Sequence, residues 1–223
     1  MRVRYLAVVV ALASLVVARS GEAQKVKSAS LAPMVGPVVG LDLFTFTGSD
    51  VTGAKNLTGL ALGGALMIQL SPSVFLEPQV LYSTKGASFN VGIDTTDKFT
   101  LHYVDVPIMF GVRIPARSGV RPYLMAGPVI GFKAGCDLSE TTAGSTNSAS
   151  CTASGFFDIK STNFAVTGGA GLDFVAGPMT LQVGGRYEYG LSKPLTVLGT
   201  ALNVRNTGFA LNVTALFSLG SRQ

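Results

Sequence analysis

The sequence predicts an all-β fold: an eight-stranded antiparallel up-and-down transmembrane β-barrel with a polar, side-chain-filled interior. Three observations predict it. First, residues 179–191, MTLQVGGRYEYGL, alternate with a period of two. Met179, Leu181, Val183, Tyr187, Tyr189 and Leu191 form an apolar face, while Thr180, Gln182, Arg186 and Glu188 form a polar one. Such a strand has lipid on its greasy side and a polar bore on the other. Second, the mean hydropathy is +0.44 with only 13% charged residues, yet no run supplies the ~20 apolar residues of a membrane helix. The apolar residues are therefore dispersed by alternation, and the 27 glycines weaken any helical reading. Third, long polar connections alternate with short ones, as outside loops alternate with periplasmic turns in outer-membrane barrels.

The elements follow in order. Arg2 and Arg4, then an apolar stretch over residues 5–17, then Gly21-Glu22-Ala23, read as a secretory signal over residues 1–23. Its removal takes three arginines and one glutamate and lowers the formal net charge from +5 to +3. The basic balance is thus partly the signal's, and no nucleic-acid partner is expected. The barrel domain occupies residues 24–223. Its first strand, 38–47, turns Val39, Leu41 and Leu43 outward and Asp42, Phe44 and Phe46 inward. Residues 60–70 form the second, with a short helix as the alternative. The third, 74–86, turns Glu77, Gln79 and Lys85 inward; Pro78 would place it at an edge unless a bulge accommodates it. Strands at 100–114, 121–134, 163–174, 179–191 and 208–219 complete the set. The loops are residues 48–55, 87–98, 135–160 and 192–202.

Five acids, Asp42, Glu77, Asp105, Asp173 and Glu188, then meet five bases, Lys85, Arg113, Arg121, Lys133 and Arg186, on inward positions. Buried charges need partners, and the tightest network is expected among Glu77, Asp105, Arg186 and Glu188. Its role would be structural, holding register and closing the bore. Cys136 and Cys151 lie in the longest loop; in an oxidising compartment they pair, with two free thiols as the alternative. Two cysteines and one distant histidine do not fill a metal shell, and no cofactor is expected.

The segments Leu76-Glu77-Pro78-Gln79, Leu81-Tyr82-Ser83-Thr84-Lys85-Gly86, Tyr103-Val104-Asp105-Val106-Pro107-Ile108 and Arg121-Pro122-Tyr123-Leu124-Met125-Ala126-Gly127-Pro128 resemble the PorT-like outer-membrane β-barrel family. The resemblance is clearest from the third strand to the fifth. It implies an eight-stranded barrel of OmpA/OmpX size in a Gram-negative outer membrane, and little about activity. The secretion-related role of the founding members is not carried over. The chain departs from the family pattern in its cysteine pair. It also departs from many outer-membrane barrels in ending Ser221-Arg222-Gln223 rather than on an aromatic residue, with Phe217 the nearest substitute.

No catalytic set is expected. His102, the single histidine, sits on the lipid-facing side, where an interfacial polar residue is the simpler reading. Gly168-Gly169-Ala170-Gly171 lies within a strand rather than at a phosphate-binding turn. The carboxylate pairs of the bore face matching bases. The function expected is that of a non-enzymatic integral outer-membrane barrel. Its partners would be membrane lipid and an envelope protein or extracellular partner met by the outside loops. The alternatives are a lipid-modifying outer-membrane enzyme centred on His102 or a carboxylate pair, a narrow pore, and a soluble periplasmic ligand-binding barrel with its faces reversed.

Overall fold

The computed structural model describes residues 32–91, 94–116, 119–151, 157–193, 195–197 and 200–220. The expected signal, residues 1–23, lies outside them. Eight long strands make the wall: β1 (Met34–Thr47), β2 (Lys55–Gln69), β3 (Val74–Asn90), β4 (Thr95–Arg113), β5 (Val120–Thr142), β8 (Thr162–Ala176), β9 (Met179–Gly190) and β12 (Arg205–Ser218). Each pairs antiparallel with its neighbours in chain order. β1 pairs with β12 from Met34↔Ser218 to Thr47↔Arg205, so the sheet closes and no wall strand has an open edge along its full length. Closure satisfies the ladder groups that lipid cannot.

The faces follow the sequence alternation. Leu41, Leu60, Leu62, Val80, Phe110, Leu124, Phe164, Phe209 and Leu211 point outward and are about half exposed, whereas Phe44, Ala61, Met67, Phe75, Glu77 and Lys85 are buried. The inverted soluble barrel is excluded by this arrangement. Residues 60–70 are strand, not helix. Tight turns lie at the end where the chain enters and leaves. One is Gly177-Pro178, where Gly177 takes a φ of 59° and lets Ala176 pair with Met179.

Two expectations are corrected here. Pro78 neither marks an edge nor sits at a bulge: β3 lies between β2 and β4 with the same register on both sides of Pro78. A closed wall tolerates the missing donor because the flanking ladder, Glu77↔Met109 and Leu81↔Asp105, holds the alignment. Residues 87–98 and 135–160 are not mainly loops either. β3 and β4 continue to Asn90↔Thr96, and β5 continues to Thr142 before returning as β6 (Ser145–Ser150). Ala143 and Gly144, with φ of 48° and 84°, make the two-residue turn whose twist suits a hairpin. Polar threonines and serines there satisfy each other, with Oγ1–Oγ1 distances of 3.2 Å for Thr95–Thr142 and 2.9 Å for Thr141–Thr146.

Above the bore, β7 (Phe157–Ile159), β10 (Leu195–Val197) and β11 (Thr200–Ala201) form a small separate sheet. Ile159, Leu195, Leu202 and Val204 pack on Phe46, Phe99, Leu101 and Tyr103 at the strand ends. Asp50 ties the first outside loop to the last. The Asn203 backbone N–H donates to its carboxylate at 2.8 Å, as does the Ser49 hydroxyl. Together they hold that carboxyl below its usual range.

Candidate functional site

The interior is layered. At the end with the tight turns Arg113 Nε donates to Asp173 Oδ2 at 2.6 Å, and the guanidinium lies 4.6 Å from the centre of the Phe75 ring. An apolar layer of Met34, Val38, Ala65, Met67, Phe75, Leu81, Tyr123 and Leu216 packs nearby. Gly171 and Gly184 make room for the Tyr123 phenol, since a Cβ at either would lie 2.4 or 2.3 Å from its oxygen. The glycine run of β8 thus serves packing.

Next is a polar layer in which Arg186 Nη1 donates to Gln79 Oε1 at 2.9 Å and Gln79 Nε2 to Glu77 Oε1 at 2.7 Å. A cavity of about 20 Å³ here is bordered by Gln79, Gln182, Arg186 and Asn212. Three otherwise unpaired buried atoms, Gln182 Nε2, Arg186 Nε and Asn212 Oδ1, belong to those residues. Such a space, with two donors and an acceptor, suits one water molecule.

Above it Lys85, 1% exposed, bridges two acids. Its Nζ is 2.9 Å from Asp105 Oδ2 and is hydrogen-bonded to Glu188. Ser83 adds a 2.6 Å bond to Asp105. The rings of Phe44 and Tyr103 flank the ammonium at 4.9 and 5.9 Å. Over this lies the apolar cluster that includes Cys136 and Cys151, joined as a disulfide with Cα atoms 5.5 Å apart.

The sequence-derived set is therefore only partly brought together. Asp42, Glu77, Lys85, Asp105, Arg113, Asp173, Arg186 and Glu188 are all buried in the bore. Arg186 reaches Glu77 through Gln79, and Asp105 reaches Glu188 through Lys85, so the expected four-residue network is two separate groups. Asp42 Oδ2 has no hydrogen-bond partner among the described residues. Arg121 and Lys133 leave the set. Arg121 is exposed at the mouth beside the tight turns, lining a vestibule of about 260 Å³ with Arg113 and Asp173. Lys133 is at the other end, where its Nζ donates to the Ile159 carbonyl at 2.8 Å. Five buried acids thus face three bases rather than five. Arg121 is the second residue of β5, at the open mouth, whereas Lys133 lies within β5 and turns its ammonium up toward the cap.

On the outer surface His102 stands between Thr84 and Asp137. Nδ1 is 3.5 Å from Thr84 Oγ1, Nε2 is 3.2 Å from Asp137 Oδ2, and the Tyr82 ring stacks on the imidazole at 5.7 Å. Alternation alone cannot find Asp137. A register shift pairs His102 with Gly135 but Tyr103 with Lys133, so Ala134 is an extra residue. That bulge exchanges the two faces beyond it, sending Cys136 into the cap and Asp137 outward.

A closed antiparallel sheet, apolar outside and filled with buried polar and charged side chains inside, defines a transmembrane β-barrel of the outer-membrane kind. The chain belongs to the outer membrane protein beta-barrel domain family, whose profile matches residues 19–195. Among solved structures it is similar to neisserial surface protein A, at 16% identity over 84% of this chain and 97% of that one, with a TM-score of 0.48. It is similar to the attachment invasion locus protein of Yersinia pestis, at 16% identity over 83% and 99%, with a TM-score of 0.43. The N-terminal β-barrel domain of Pseudomonas aeruginosa OprF matches at 15% identity over 78% and 96%, with a TM-score of 0.34. Comparison with curated proteins gives no match.

Proposed function

We propose that this protein is a closed, non-conducting barrel of a Gram-negative outer membrane, exported by residues 1–23, that presents a contact surface outside the cell. The buried ion pairs hold register and fill the bore rather than perform catalysis. The working surface is the sheet β4–β5–β6 together with the cap, and its partner is an envelope protein or an extracellular molecule. The observation that carries this reading is strand length. β4 has 19 residues and β5 has 23, whereas about 9–11 suffice to cross the hydrocarbon. The excess ends in a hairpin whose return strand, four hydroxyl residues with Asn147 and Ala149, is open to solvent. The PorT-like resemblance supplies the size class and no activity.

Photo-crosslinking in whole cells tests it. A photoreactive residue replacing Thr146 on the hairpin should give a discrete protein or saccharide adduct. The same residue replacing Leu211 in the lipid belt should give lipid adducts alone. Lipid or no adduct at Thr146, with the barrel still folded by its heat-dependent gel mobility, rejects the contact surface.

A further inference from the structure

The most unusual arrangement outside the bore is the row Thr84–His102–Asp137. Outward-facing Tyr82 on β3 and Phe132 on β5 are the last large apolar residues before the polar end of the barrel. Aromatic residues at that position mark the headgroup level of the bilayer. Thr84 and His102 are direct cross-strand partners one step beyond it. The row therefore lies at the lipid–water boundary.

Four independent features converge on it. The imidazole has a hydroxyl at one nitrogen and a carboxylate at the other, which is the order of a nucleophile, a base and an orienting acid. The Tyr82 ring, 16° from parallel with the imidazole, limits its rotation. The row is bordered by glycine on both sides. A Cβ at Gly59 would lie 2.3 Å from the Thr84 carbonyl oxygen, and one at Gly135 would lie 3.5 Å from His102 Cδ2, in ordinary contact with the ring. Gly59 thus lets the β2 and β3 backbones close up beside Thr84. Finally, a register shift lies in each flanking ladder, between Asn56 and Ala61 on β2 and at His102/Tyr103 on β4. Bulges of this kind collect beside active sites, where they re-aim side chains and release backbone N–H groups from the ladder.

We propose that Thr84, His102 and Asp137 form a hydrolytic site for acyl esters of lipid in the surrounding leaflet. His102 donates from Nε2 to Asp137 and accepts the Thr84 proton at Nδ1. Thr84 Oγ1 attacks the ester carbonyl. The carbon–oxygen bond to the lipid backbone breaks, and the leaving alcohol takes the proton from Nδ1. Water, deprotonated by the same nitrogen, then attacks the acyl-threonine, frees the fatty acid and restores the hydroxyl.

The test uses the full-length mature protein folded in detergent. Fatty acid release is measured from mixed micelles of dipalmitoyl phosphatidylethanolamine in one arm and of lipopolysaccharide in the other. The proposal expects release in at least one arm, which then identifies the lipid class. Thr84→Ala and His102→Asn should each lower the rate about 100-fold or more. Thr84→Ser should retain it, and Asp137→Asn should lower it. Mass spectrometry should also find an acyl adduct on the peptide carrying Thr84, a signature that an inert interfacial contact would not give. Heat-dependent gel mobility shows that each variant is folded. Two results overturn the proposal: release in neither arm above a folded Thr84→Ala/His102→Asn control, or rates in the single variants equal to wild type.

Discussion

Lys85 is the residue on which the upper bore depends. Its ammonium is enclosed by Asp105, Glu188, Phe44 and Tyr103, so its desolvation is offset only by close acids. Removing it leaves two carboxylates buried without their base, a change that typically costs about 3–5 kcal/mol. Lys85→Met is therefore expected to lower the temperature of the folded-to-unfolded gel transition markedly. Adding Glu188→Gln should recover part of the loss, because one fewer charge is stranded; a double-mutant cycle measures the coupling. A single variant as stable as wild type would remove Lys85 from this position. Alternation placed Lys85 inward but could not choose its partners. Glu188 is 103 residues away, and only barrel closure brings β9 opposite β3.

At the scale of elements, the strands proved longer than their apolar stretches. Alternation of grease and polarity ends where lipid ends, but hydrogen bonding does not, so β3, β4 and β5 run on as polar sheet. The signals for this were the β-branched threonines of residues 95–100 and 141–146 and the Ala143-Gly144 turn. The disulfide sits in that extension and links residues 15 apart. A cross-link closing a loop of that size contributes about 3 kcal/mol in the chain-entropy account. The double variant Cys136→Ser/Cys151→Ser should accordingly loosen the cap and leave the wall intact. Limited proteolysis should cut within residues 138–160 much faster than in wild type, while gel mobility of the unheated barrel is unchanged. Loss of the barrel itself would mean that the cap and the wall fold as one unit.

For the whole molecule, the apolar cluster under the cap and the two charged layers lie in series along one bore. An ion would have to break a buried pair and then cross a packed apolar layer. The wild-type protein in a planar bilayer should therefore show no steady single-channel steps at about 100 mV, a field worth about 2.3 kcal/mol per charge. Regular steps that persist in the oxidised protein would contradict a filled bore.

The sequence by itself determined the fold class, the eight crossings and which side of each strand meets lipid. Each of these rests on a two-residue period that every strand carries within its own stretch of chain. Tertiary structure decided what no local pattern holds: which acid meets which base, that Arg121 and Lys133 lie outside the enclosed bore, and that Asp137 turns outward. Partners come from strands far apart in the chain, and enclosure depends on height along the barrel. A single extra residue at Ala134 reverses the two faces without leaving any mark in composition.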